Sequence, residues 1–381
     1  MARGESDRKV DFVFTEEQDE LRSLAAKVVS DHASPERLGA MERSGEPFDR
    51  GLWRAAADAG LLGAGIGDPF GGGMGLTGTC IVLEELGRHV APLPLWAGSC
   101  VAGSTLDRYG THDQRRTLLP GICSGSLIVT AALEDPLEGA GSEGTGGLRA
   151  EPDGPGWRLF GEKIAVPYLP QADRVMVAAG RPDGATGMFL LDPGSAGVTV
   201  LPGWSTTGEP LGTLELTGTR IDVGGVIGGE ADEAASYAYR VGVAGLCATA
   251  AGVLAGGLRV TADYIAVRQQ FGRPIASFQG PAMRIADAYI DVQAVWVAAW
   301  SAIWQLDTGR PAEDALAIAK FWVADGGQRA VHAFQHLHGG MGLDIDYPIH
   351  RYFQWAKALE VALGGASTQL ERLGDLLAEE V

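Results

Sequence analysis

RQQFGRPIASFQ, running from Arg268 to Gln279, is the stretch on which the reading of this chain turns. It joins a charged, helix-like segment to a Phe-Gly-Arg-Pro break and ends on a lone amide. Phe271-Gly272 and Pro274 predict a turn, because glycine reaches backbone angles closed to other residues and proline fixes φ and removes a donor. Arg268 offers a planar guanidinium fork suited to phosphate oxygens, Arg273 adds a second positive charge, and Gln279 can hydrogen-bond a polar ligand edge. About sixty residues on, HLHGGMG (His336 to Gly342) ends another helical run, and its adjacent Gly339 and Gly340 let a ligand approach bare backbone. Either segment alone reads as a helix-ending loop. Together they predict a grip on the phosphates of a bound dinucleotide.

The rest of the chain changes texture twice. From Phe12 to about Leu127 the pattern is helical. TEEQDELRSLAAKVV opens with a capping box, Thr15 to Gln18, and then sets Leu21, Leu24, Ala25, Val28 and Val29 on one face. WRAAADAGLLG and TCIVLEELGRHV keep the same period on either side of DPFGGGMG, which reads as a connecting turn. Near Ile128 short β-type runs begin, among them LIVTAAL, WRLFGEKIAV, RVMVAAG and GTLELTGTRI, separated by Gly, Pro and Asp. From Asp232 helical periodicity returns. Gly242 to Gln270 is rich in small residues that let neighbouring helices approach closely, and two further long amphipathic runs suggest a bundle. The expectation is an α+β protein: an N-terminal α-helical domain (1–127), a central β domain built as a barrel or sandwich (128–230), and a C-terminal four-helix bundle (231–381).

Composition excludes several classes. A chain of 381 residues exceeds one compact core, and its net charge of −18 repels a nucleic-acid backbone or an anionic membrane. Any anionic ligand must therefore meet a local basic pocket. No apolar run reaches the roughly 18 residues of a spanning helix, and MARGESDRKV lacks the apolar stretch of a signal peptide, so a soluble, cytoplasmic protein is expected. Cys80, Cys100, Cys123 and Cys247 are too few and too scattered for a disulfide framework and read as reduced core thiols. GAGSEG (Gly139 to Gly144) fits GxGxxG by letter, but it sits in an acidic loop inside the β module instead of opening a helix after a strand. His332 and His336 are four apart on a helix, yet no HExxH glutamate and no third ligand accompanies them, so no metal is expected. No GxSxG elbow supports a hydrolase.

RQQFGRPIASFQ followed by QHLHGGMGLDIDYPIHRY (Gln335 to Tyr352) resembles the two C-terminal signatures of the acyl-CoA dehydrogenases. EELGR (Glu84 to Arg88) and LLPGICSG (Leu118 to Gly125) agree in order, so the resemblance covers about Phe12 to about Leu377. It implies a flavoprotein that binds FAD at a subunit interface. Arg268, Phe271 and Gln279 would hold the pyrophosphate and adenosine half, with His336, Gly339 and Gly340 packing against the same moiety from the neighbouring subunit. It implies an acyl-CoA substrate, expected to be bulky or branched as in fatty acid or steroid side-chain metabolism. The α proton goes to a carboxylate base while the β hydrogen leaves as hydride.

The sequence departs from that pattern in two places. ALGGASTQL puts Leu363 or Gly364 at the expected catalytic glutamate, and the alternative base position falls near Gly242 or Val243. Glu360, about one turn before Gly364, remains as a candidate base. The family's Thr-Glu-Pro flavin strand reads LEDP (Leu133 to Pro136), and its Trp-Ile-Thr segment reads AVP (Ala165 to Pro167), where proline gives a flavin ring neither hydroxyl nor N–H. The combination resembles a divergent bacterial branch, common in actinobacteria, some members of which are two-gene heterotetramers. A homo-oligomer (dimer or tetramer) and a heterotetramer with a paralogous subunit both follow from it. So do three activities: an acyl-CoA dehydrogenase, a non-catalytic subunit that shares FAD, or a flavin oxidase or monooxygenase on the same fold.

Overall fold

In the computed structural model, which describes residues 13–136, 147–228 and 233–379, Thr15 caps the first helix, α1 (Glu16–His32). Its hydroxyl accepts from the Gln18 N–H while the Gln18 amide oxygen accepts from the Thr15 N–H, the reciprocal pair read in the sequence. Leu21, Ala25 and Val29 are buried. Leu24, expected on the same face, is 41% exposed, so the buried stripe is narrower than the apolar periodicity suggests. Five more helices follow: α2 (Pro35–Ser44), α3 (Arg50–Asp58), α4 (Gly75–Arg88), α5 (Ser104–Tyr109) and α6 (His112–Cys123), with a π-helical turn at Trp96–Gly103. Within EELGR the carboxylate of Glu84 is a structural tie. It accepts from Arg88 of its own helix at 2.8 Å and from the Trp300 indole at 2.9 Å, and Arg22 of α1 lies 3.5 Å away.

The central strands are β1 (Val129–Ala132), β2 (Leu148–Asp153), β3 (Gly156–Pro167), β4 (Arg174–Gly180), β5 (Thr186–Leu191), β6 (Val198–Trp204), β7 (Pro210–Ile221) and β8 (Val226–Ile227). They bond in the order β6-β7-β3-β2-β4-β5-β8, and β1 lies parallel beside β4. Leu148, Leu159, Val175, Phe189 and Leu214 give the sheet a core of its own. Strand β3 slips register against β7 between Lys163 and Val166, which lifts Ile164 and Ala165 (φ 49°) out of the ladder. Bulges of this kind re-aim side chains next to binding sites. The GxGxxG-like stretch Gly139 to Gly144 lies outside the described residues.

The chain then enters α7 (Glu233–Val267), turns through the hairpin β9 (Gln269–Gln270) and β10 (Arg273–Pro274), and continues as α8 (Gln279–Asp307), α9 (Glu313–His338), α10 (Ile349–Val361) and α11 (Ala366–Glu379). Helices α7 to α10 pack as a bundle, with α11 against α9. Glycines let α7 and α4 touch backbone to backbone. A Cβ at Gly252 would stand 1.9 Å from the Glu84 carbonyl oxygen, and one at Gly87 2.2 Å from that of Thr249. Contrary to the sequence expectation, α7 is long and apolar enough to cross a membrane, but 89% of its most apolar stretch is buried inside the fold. It is the core helix against which the N-terminal helices and the bundle both pack. All four cysteines are unbridged; Cys80, Cys100 and Cys247 are buried and Cys123 is half-buried.

Candidate functional site

The residues predicted to grip a dinucleotide lie at one exposed end of the bundle. Phe271 (φ 53°) and Gly272 (φ 78°) both take left-handed backbone at the tip of the β9–β10 hairpin, the conformation a two-residue hairpin with right-handed twist demands. Phe271 therefore carries backbone strain while standing 94% exposed. Arg268 follows directly on α7, is exposed, and makes no ion pair among the described residues. Arg273 stacks its guanidinium on the Phe278 ring at 4.0 Å. Gln279 is the first residue of α8, whose N terminus no side chain caps, so the helix end presents free N–H groups and the positive end of its dipole. At the end of α9, His336, Gly339 and Gly340 are exposed, with Gly339 at φ 57° and open space where a Cβ would stand at either glycine. Unpaired guanidinium, uncapped helix N terminus and bare glycine backbone fit a dinucleotide's diphosphate.

His338, beside this set, is buried, stacked on Tyr264 at 4.5 Å, with Nδ1 2.8 Å from the Phe334 carbonyl. Burial lowers its pKa, and the Phe334 carbonyl opposes that shift. Among the described residues no three His, Cys, Asp or Glu side chains gather as a metal site would require. His332 is exposed, its ring edge-on to Phe353 at 5.2 Å.

A second feature lies far from the grip. A cavity of about 540 Å³ opens where β1, β3 and the β6–β7 turn face α4, α7 and α10. Its walls are mostly apolar, with Leu86, Trp96, Leu133, Leu246 and Trp355 among them, and Ala165 and Pro167 of the AVP segment also line it. Pro167 shows it only a carbonyl already bonded by the Thr130 hydroxyl, while Ser205, Thr206 and Thr207 bring hydroxyls from the β6–β7 turn. Thr249 on α7 also lines it, and Arg268 follows nineteen positions later, about 30 Å along the axis at ~1.5 Å per residue. The exposed Arg268 segment and the cavity therefore lie about 30 Å apart along α7.

Two carboxyls reach the cavity, and neither was singled out from the sequence: Glu134 and Glu209. Glu209 accepts from the Tyr168 hydroxyl at 2.8 Å and from the Thr207 hydroxyl at 2.9 Å. Burial raises its pKa against the pull of those two bonds. Glu134 accepts from the Leu363 N–H at 2.6 Å. Its pKa is also raised, first by burial, with the Leu363 N–H and Lys320 acting the other way. The available signal was a glutamate ending the apolar strand LIVTAAL.

The positions where the family would carry its base are sealed. Leu363 is 1% exposed in left-handed backbone (φ 52°), its carbonyl accepting from the Tyr239 hydroxyl and the Gln369 amide. A Cβ at Gly242 would lie 3.0 Å from Leu133 Cδ1 and 3.5 Å from Leu363 Cδ1, so methyl groups fill that locus. Glu360 is ion-paired to Lys357 on the same helix and is not among the residues lining the cavity, although Leu359 and Val361 are. Fully buried Lys320 fixes the α10–α11 turn by donating to the Glu360 and Gly364 carbonyls at 2.9 and 2.8 Å.

Burial pulls the Lys320 pKa down to about 8, opposed by Cys247, Glu134 and Glu360. The unfolded chain then binds more protons than the folded one between that value and the ordinary 10.5, so this residue's contribution to stability rises with pH across the window and is lost as pH falls through about 8. Denaturant titrations at pH 7.5, 8.5 and 9.5 should show that component in the wild type and not in Lys320→Met.

The geometry has relatives. The family model described as acyl-CoA dehydrogenase, N-terminal domain, matches residues 15–126, and that for the C-terminal domain matches 233–377. Acyl-CoA dehydrogenase FadE27 of Mycobacterium tuberculosis is 37% identical over 97% of this chain and 99% of its own, and FadE28 of the same organism is 34% identical over 84% and 91%. Among solved structures, a variant of the Tcur3481-Tcur3483 steroid ACAD superposes with a TM-score of 0.90 at 42% identity, covering 96% of this chain and 98% of that one. The ChsE4-ChsE5 complex from Mycobacterium tuberculosis superposes with a TM-score of 0.91 at 36% identity, covering 97% and 99%. Helices, sheet and bundle in the predicted order, matched end to end at this identity, mean that the chain belongs to the acyl-CoA dehydrogenase family.

Proposed function

We propose that this protein is an FAD-dependent acyl-CoA dehydrogenase that introduces an α,β double bond into a bulky CoA thioester. What supports the reading is the pairing, on one family fold, of an exposed Arg268, unpaired among the described residues, beside an uncapped helix N terminus with a separate apolar cavity that reaches two half-buried carboxyls. Bound FAD supplies the two-electron acceptor for the hydride. The chain's residues do the rest. Arg268 and Gln279 bind the diphosphate, Phe271 covers the nucleotide, and His336, Gly339 and Gly340 accept its adenosine half. Leu86, Leu246 and Trp355 exclude water around the acyl group, which leaves any carboxyl there a stronger base than in water. A bulky acyl group is supported by the cavity's size and by the steroid ACAD among the relatives.

The protein works as an oligomer, and the separation of about 30 Å between grip and cavity supports FAD lying across a seam between protomers. A partner of different sequence is the finer reading, supported by the two-chain names of the relatives at 42% and 36% identity. The relatives' names favour an enzyme over a subunit that merely shares FAD. The test is a visible spectrum. The purified chain, alone or co-expressed with a paralogue, should be yellow and should bleach anaerobically on addition of an acyl-CoA. Fast reaction of the reduced form with oxygen and an oxygenated product would instead favour a flavin oxidase or monooxygenase, and a colourless chain under both conditions would end the proposal.

A further inference from the structure

We infer that Glu134, at the end of strand β1, is the catalytic carboxylate that takes the substrate's α proton; this rests on the dehydrogenase reading above. Three glutamates stand near enough to be considered, and their bonding separates them. Glu360 is ion-paired to Lys357 and does not line the cavity. Glu209 has both oxygens engaged, one by Tyr168 and one by Thr207. Glu134 lines the cavity with only Oε1 engaged, by the Leu363 N–H, and Oε2 makes no hydrogen bond among the described residues.

Its location has a second merit. A base would be expected at Leu363 or Gly364, or near Gly242 or Val243, and the Leu133 and Leu363 methyls fill the space around Gly242. Glu134 adjoins both, next to Leu133 in sequence and bonded to Leu363 in space. Glu134 thus offers, from the sheet, a carboxylate beside the bundle positions where the family carries its base. In the step itself the α C–H bond breaks with its proton going to Oε2, and the electron pair left behind forms the new double bond. The β hydrogen would leave with its own pair, for which bound FAD would be the two-electron acceptor, and the proton on Glu134 would afterwards return to solvent.

Glu134→Gln is the test, because a glutamine oxygen still accepts from the Leu363 N–H. FAD content and unfolding midpoint are measured first and are expected to match wild type. With octanoyl-CoA and lithocholoyl-CoA in D₂O, the wild-type holoenzyme should place deuterium at the α carbon and bleach, and Glu134→Gln should be slower by at least about 100-fold, the scale of a lost general base. Glu134→Asp should recover part of the rate, whereas glutamine should recover none. In the flavin-free chain, a pH-difference infrared spectrum should lose one titrating carboxyl band in Glu134→Gln. Undiminished exchange in Glu134→Gln, or its loss in Glu209→Gln alone, overturns the assignment while leaving the dehydrogenase reading intact. A wild-type holoenzyme that neither exchanges nor bleaches with either thioester sinks that reading and this inference with it.

Discussion

Arg268→Ala should yield a folded protein that has lost most of its FAD. The guanidinium is exposed and makes no ion pair among the described residues, so its removal costs the fold little. Hydrogen bonds to a charged group contribute about 1.5–3 kcal/mol each, and a bidentate grip on a phosphate makes two. Allowing for water that replaces the fork, a loss of about 3 kcal/mol corresponds to roughly 100-fold weaker FAD binding. Arg268→Lys should fall between the two, since an ammonium keeps the charge without the planar fork. The flavin-to-protein absorbance ratio after gel filtration reads the first effect, and the unfolding midpoint of the flavin-free chain should not move. A full flavin complement in Arg268→Ala would place the diphosphate elsewhere.

The second large effect is on stability and comes from the residue beside Glu134. Asp135→Ala should destabilise the fold by about 3–5 kcal/mol, the cost of removing one partner of a buried ion pair. Lys163 Nζ lies 2.7 Å from Asp135 Oδ1 with both side chains essentially inaccessible, and the same oxygen accepts from the Gly147 N–H at 2.9 Å. Without the carboxylate the buried ammonium loses its ion-pair partner at 2.7 Å. The double substitution Asp135→Leu with Lys163→Met should recover much of the loss, because no charge then remains to be buried. Urea unfolding midpoints of the two single variants and the double variant decide this. Glu134 and Asp135 thus divide the labour of the LEDP segment, one carboxyl lining the cavity and its neighbour pinned in the sheet.

How much of this was legible beforehand follows from the range over which each feature is determined. The turn at Phe271-Gly272, the capping box at Thr15 and the exposed glycines after α9 are local, and local stereochemistry writes them into a few adjacent residues. The role of EELGR was hidden, because the Glu84 carboxylate is claimed by Trp300, a residue of another helix. Leu24 was misplaced because periodicity gives a face but not the width of what covers it. The apolar character of α7 was underestimated because glycine and alanine interrupt its strongly apolar residues, although the helix as a whole is apolar enough to span a membrane.

The sequence by itself determined the family and the order of helices, sheet and bundle, and it placed the turn at Phe271-Gly272 beside an exposed Arg268, since each depends on patterns within short windows of chain. Only the tertiary structure decided which carboxyls line the cavity and what surrounds them. A carboxyl's affinity for a proton depends on what burial strips from it and on which donors reach it. For Glu134 those are Leu363, 229 positions away, and Lys320 on a different helix. No window of sequence contains all three, and the fold brings them together by packing a sheet edge against the end of a bundle.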